Sequence, residues 1–239
     1  MTVPGEATTP VAKGGLFEDF VDAFVRPRAL FERNSNSSFV RPALVQSLFF
    51  LVIGIAAMNL VAPYFEAEML RTVRQNGQPM PENGAAVMGT MAKVTSTIGF
   101  AVAPWMVALL GGLATWIATR IIGARLSFGQ SAMIAAWSYT PAMLGTVLMA
   151  VQGALVDPST IRGVSDAQLG PARFVDPETT QPVLLALLQQ LDVFNLWGLV
   201  ITAIGIMVVG RQDLGTSVMA TAIRFALVAL GTIVPALLR

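Results

Sequence analysis

From Pro42 onward the chain returns again and again to runs of about twenty residues almost free of charge, a length matched to the roughly 30 Å of hydrocarbon in a bilayer. Such runs constrain a chain more than any short motif. In hydrocarbon each backbone N–H and C=O must find its partner within the protein, so an isolated run has to be helical. Five are legible, at about 42–62, 95–119, 131–151, 192–210 and 217–238. Composition agrees, with 54% hydrophobic and 12% charged residues, where soluble domains carry about 25% charged. The expected fold class is all-α, a polytopic transmembrane helix bundle of about five spans.

The segments between the runs set the organisation. Residues 1–15 are small, polar and rich in Pro and Gly, and are expected to form a disordered tail. Residues 16–41 read as an interfacial amphipathic segment. There Phe17, Phe20, Val21 and Phe24 recur at helical spacing, with Glu18, Asp19 and Asp22 on the other side. Pro27 ends or bends this helix, and Arg26, Arg28, Arg33 and Arg41 surround it. The same pattern suits a helix packed on its own bundle, and both readings stand. Residues 42–239 form the membrane domain. Pro42 suits a first helical turn, and the first run lacks the cleavage site of a secretory signal. A polar loop follows it, part of which continues as helix from Pro63 to Gln75. Residues 153–182 read as a long loop, and Val183–Gln190 as an interfacial preface to the fourth span or an extension of it. The short link Arg211–Gly215 makes the last two spans antiparallel.

Positive residues in short flanking loops set orientation. Four arginines precede the first span, and Arg120 and Arg125 flank a tight turn. The expected topology has the N-terminus in the cytoplasm and the C-terminus outside.

Several function classes fall away. With no cysteine and no histidine, disulfides, Cys/His metal sites, cysteine nucleophiles and the commonest general base are all absent. No phosphate-binding glycine loop, nucleophile elbow, proteolytic carboxylate pair or Asp-rich calcium loop is present, and Ser138 beside Tyr139 has no histidine to activate it. No enzyme activity, cofactor or metal is expected. A net charge of +1 provides no field for nucleic acid. The expected partner is the lipid bilayer, with a protein partner for the N-terminal segment as a further expectation.

Polar groups and prolines inside spans are the remaining candidates. Pro104 and Pro141 fall near mid-membrane on adjacent spans, where each frees a carbonyl that a neighbouring helix or water must satisfy. Kinked helices of this kind occur in transport sites and in inert bundles alike. Asp192, Asn195 and Thr202 lie along one stripe of the fourth span, with Gly198 and Gly205 beside it. A carboxylate in lipid is a functional candidate, yet an Asp at a first helical turn also caps free backbone donors. Arg224 interrupts the fifth span within snorkelling reach of the headgroups, and reads as an anchor or a lipid-phosphate contact. Asn59, near the end of the first span, is a lone amide free to join Asp192 and Asn195 in one polar cavity.

Three segments together resemble a known family. Phe20, Phe24, Pro27 and Phe31 precede the first span, Trp137-Ser138-Tyr139-Thr140-Pro141 lies in the third, and Leu191-Asp192-Val193-Phe194-Asn195-Leu196-Trp197 opens the fourth. This order resembles the bacterial branch of the YIP (Ypt-interacting protein) family of five-span membrane proteins, over residues 16–239. The resemblance implies a protein of the plasma (inner) membrane in which Tyr139, Pro141, Asp192, Phe194 and Trp197 matter, without assigning them chemistry. Eukaryotic members are similar to adaptors that engage small GTPases. The Asp-Leu-Tyr-Gly-Pro-type sequence of that branch is missing here. Two functions follow as expectations: a non-enzymatic scaffold or adaptor organising membrane or partner proteins, or a conduit for a small solute, ion or lipid using the stripe around Asp192.

Overall fold

A computed structural model describes residues 15–77 and 83–237, and helices make up most of it, with no strand among the described residues. The tail expected over residues 1–15 lies almost wholly outside the described residues. Helix α1 (Leu16–Val25) and α2 (Pro27–Asn34) form an elbow at Arg26. The bundle proper follows as α3 (Val40–Ala56), α4 (Met58–Gln75), α5 (Gly84–Met106), α6 (Gly112–Ile121), α7 (Phe128–Ser138), α8 (Pro141–Leu155), α9 (Pro182–Gln190), α10 (Val193–Val209) and α11 (Leu214–Leu237). A π-turn, Val107–Gly111, joins α5 to α6.

Among the described residues three stretches are long and apolar enough to cross a bilayer: Ala86–Ile121, Phe128–Leu155 and Leu214–Val234. The total rises to as many as five if two bent pairs each form one span, α3 with α4 at 95° and α9 with α10 at 57°. The first stretch, at 36 residues, is about 54 Å long and so exceeds the hydrocarbon thickness. The polar segment after the first span is thus more helical than its composition implies. It runs unbroken from Met58 through Pro63 to Gln75, almost perpendicular to α3.

The core explains the elbow. Leu30 and Phe31 of α2 are fully buried with Met133, Ile134 and Trp137 of α7 and with Ile201 and Ile206 of α10. Phe20 and Phe24 of α1 make edge-on ring contacts with Trp137 and Trp197, at 5.7 and 5.6 Å between centroids. The N-terminal pair is therefore packed on its own bundle. Two of the three acidic residues on its other side are not solvated either. Asp19 and Asp22 are buried, and Arg33 Nη2 donates to Asp19 Oδ1 at 3.0 Å and Asp22 Oδ2 at 2.6 Å. Arg26 and Asn34 complete the cluster, at 2.9 Å to Asp22 and 3.2 Å to Asp19. Burial alone would raise the Asp22 carboxyl, but hydrogen bonds from Arg33 and Arg26 and their charges outweigh it and hold the group below its usual range.

Both proline-containing regions are stitched to the same helix. The carbonyl of Ala136, in the turn before Pro141, accepts from Gln46 Nε2 at 2.8 Å, and the carbonyl of Ala101, before Pro104, accepts from Ser47 Oγ at 2.8 Å. Adjacent side chains of α3 thus supply donors near both prolines, as a low-dielectric interior demands. Close approach elsewhere rests on missing side chains. A Cβ on Gly198 would stand 2.6 Å from the Ser138 carbonyl oxygen, and one on Gly112 would stand 2.6 Å from Ala132 Cα.

The loop at 153–182 folds back as three short 3-10 turns, Pro158–Thr160, Val164–Ala167 and Pro171–Phe174. It covers Tyr64 of α4 with Ile161 and Ala167. Ion pairs Arg74–Glu178 and Arg162–Asp166 hold it, the second at 2.6 Å.

Candidate functional site

The break between α9 and α10 places Asp192 at the N-cap of α10. Its Oδ1 accepts from the Phe194 N–H at 2.9 Å and its Oδ2 from the Leu169 N–H at 2.8 Å. The first contact satisfies a free helix-end donor in the favourable field of the helix N-terminus. The second pins the folded loop to the break, reinforced by the Val193 N–H donating to the Leu169 carbonyl at 3.1 Å. Both carboxylate oxygens are taken by backbone, so Asp192 acts as a structural knot here.

The rest of the stripe separates. Thr202 is fully buried and its hydroxyl lies 2.9 Å from both Ser138 Oγ and the Gly198 carbonyl, closing the α7–α10 contact. Asn59 accepts from Lys93 Nζ at 3.3 Å, across the α4–α5 contact. Trp197 packs on Phe24, as described. Neither Asn59 nor Asp192 reaches the cavity that Asn195 lines.

Asn195 shares that cavity with residues from several helices. The cavity has a volume of about 500 Å³ and lies between the π-turn, the α7–α8 junction, α10 and α11. This falls within the range of small-molecule sites. Tyr139 and Phe194 form part of its wall, Tyr139 backed by Phe50 at 5.5 Å and Phe194 seated against Gly145. Gln190, Asn195 and Thr232 also line it, and its remaining surface is mainly apolar. Pro104 and Pro141 are buried in the adjoining turns rather than in the wall.

Arg224 is the one charged group on this wall. It stands ten residues into α11, about 15 Å along the axis, and turns inward instead of running along the helix surface to the headgroups. Its Nε donates to Thr115 Oγ1 of α6 at 3.1 Å. The Thr115 hydroxyl in turn donates to the Gly111 carbonyl at 2.7 Å, which leaves an oxygen lone pair for the guanidinium. Gly111 makes room: a Cβ there would lie 3.2 Å from Arg224 Nη2. Among the described residues Arg224 has no carboxylate in ion-pair range, and its terminal nitrogens make no hydrogen bond. An arginine at a span's centre costs about 2.5–3.5 kcal/mol on insertion scales.

The helical order from α2 onward, the second half of α1 and the Asp192 knot lie within the region that the Yip1 domain model matches, residues 21–238. The chain belongs to the Yip1 family. No curated protein and no solved structure matches it. Family membership and the long apolar helices together make this an integral, multi-pass membrane protein in contact with the bilayer. The family match brings no site residues with it, so Arg224 and its wall stand on geometry alone.

Two residues that matter to this geometry carry only a faint sequence signal. Gln46 is, with Asn59, one of two amides within the first apolar run, and such residues are costly in lipid unless they bond across helices. Thr115 is indistinguishable by type from the other hydroxyls of its helix.

Proposed function

We propose that the protein is a non-enzymatic scaffold of the plasma (inner) membrane, of the bacterial branch of its family, that organises the bilayer through its N-terminal elbow. Its five spans count each bent pair as one, with the N-terminus cytoplasmic and the C-terminus outside. The carrying observation is the divided apolar face of α1. Phe20, Phe24 and Ala23 are spent on the bundle, whereas Phe17, Val21 and Val25 form an outward row, with Phe17 83% exposed. Arg26 and Arg28 stand beside that row with side chains 67% and 71% exposed, Arg26 also pairing with Asp22 and Arg28 with Glu32. An outward apolar row with a basic rim matches the interface of an anionic leaflet, where apolar burial and charge attraction add.

A conduit organised by Asp192 has less support. Both oxygens of that residue are occupied by backbone, and Thr202 is sealed between helices.

The absence of cysteine makes the test clean. A single Phe17→Cys substitution carries a polarity-sensitive fluorophore on the full chain in liposomes. The expected result is blue-shifted emission that strengthens with anionic lipid. An emission spectrum typical of water in every lipid mixture overturns the proposal, as does a blue shift seen only when a protein partner is added.

A further inference from the structure

The cavity at Arg224 has a missing half. One end holds a fixed guanidinium whose terminal nitrogens have no acceptor among the described residues, and the remaining wall is mainly apolar. Arg remains charged at any working pH and offers a planar fork of donors suited to phosphate or carboxylate. Here the fork is preset, because Thr115 takes the Nε–H and Gly111 leaves the space beside Nη2 open.

The wall indicates where the anion comes from. Met106 and Leu110 lie on the rim and are exposed on the outer surface of the Ala86–Ile121 helix, well away from its ends. Leu227 and Val228 of α11 complete the same side of the cavity. The wall is thus open on two sides, between two bilayer-crossing helices at Met106 and Leu110, and toward the start of α10 at the exposed Asn195 and Thr232. The polar opening suits a headgroup and the apolar one suits acyl chains. That division fits an amphipathic anion better than a bare one.

We propose that this cavity holds one anionic glycerophospholipid, its phosphate accepting hydrogen bonds from Nη1 and Nη2 of Arg224 while its acyl chains pass out between Met106, Leu110 and Leu227. Thr115 is the positioning residue that aims the fork. The site is independent of the outward row on α1.

The test is native mass spectrometry of the full chain released from detergent, with phosphatidylglycerol or phosphatidylcholine added. The wild type is expected to retain one phosphatidylglycerol in preference to phosphatidylcholine. Arg224→Gln is expected to weaken that retention about tenfold, the scale of a lost charge-assisted pair of hydrogen bonds. Arg224→Lys, which keeps the charge and loses the fork, falls between, and Thr115→Val weakens retention while leaving the charge in place. These two variants carry the test if Arg224→Gln does not fold. Retention unchanged in Arg224→Gln, or in both Arg224→Lys and Thr115→Val, overturns the proposal. So does equal competition by inorganic phosphate, which would make the ligand a soluble anion. Preference abolished by Arg28→Gln instead would place the lipid on the N-terminal elbow and overturn it as well.

Discussion

Arg33 and Arg224 both turn a guanidinium inward from a helix, but they differ in what meets them. Arg33 finds Asp19 and Asp22 within 3.0 Å, with Glu18 at 3.6 Å, whereas Arg224 finds a single neutral hydroxyl. Removing a charge from water is costly in either place. In the first case the chain supplies the compensating anions itself, and the product is a rigid joint between α1 and α2. In the second it supplies a holder and a cavity but no anion. The contrast separates an internal ion pair, whose purpose is exhausted within the fold, from a charge that is complete only with a ligand.

The sharpest way to break that contrast is to remove each arginine in turn. Arg33→Met leaves two buried carboxylates without their shared cation, and should cost about 3–5 kcal/mol, read as a large fall in the thermal unfolding midpoint in micelles. A midpoint within a degree of the wild type would show that the N-terminal joint contributes nothing. Arg224→Met should do the reverse in lipid-free detergent, leaving the midpoint unchanged or raising it by up to about 3 kcal/mol in stability, because no built-in partner is orphaned. A fall comparable to that of Arg33→Met would erase the distinction.

Acid should weaken the first cluster alone. The Asp22 carboxyl is held below its ordinary value of 3.8 by Arg33 and Arg26. Its contribution is fully present above that value, and is lost as pH falls from there through the lower folded value. Midpoints measured from pH 6 to pH 2.5 should therefore hold steady and then drop below about pH 4. A similar drop for Arg33→Met would show that other carboxylates are responsible.

Asp192→Ala removes a helix cap and the tie to Leu169 together, and should cost about 1–2 kcal/mol with phospholipid retention at Arg224 intact. Loss of that retention would connect the knot to the cavity after all. The smallest effect on stability is expected from Phe17→Asp with Val21→Asp. Both positions are exposed, so the change should stay within about 0.5 kcal/mol while weakening insertion of α1 into anionic liposomes.

The particular elements show why some features were legible and others hidden. The apolar runs, the elbow at Pro27 and the cap at Asp192 are local signals, carried by spacing and residue type over one helix. The dual reading of α1 shows the limit of such signals. Phe17, Phe20, Val21 and Phe24 share one apolar sector, and only Trp137 and Trp197, more than a hundred residues away, decide which half is buried. Spacing places Asp19 and Asp22 opposite the aromatics but not beside Arg33, which reaches them only after the chain folds back at Arg26. Similarly, Pro104 and Pro141 announce kinks, while the donors near those kinks, Ser47 and Gln46, come from another helix.

The sequence by itself determined that this protein is helical and embedded in a membrane, with neither cysteine nor histidine. Hydrocarbon permits few ways to satisfy a backbone, and a chain without cysteine or histidine has few reactive groups. Only the tertiary structure decided which polar residues meet. It spread Asp192, Thr202 and Asn59 over three unrelated contacts and left Asn195 on the wall that Arg224 shares. Spacing along one helix fixes which residues share a face. What that face meets depends on helices distant in sequence, and there the bend angles and the missing side chains of glycines set the outcome.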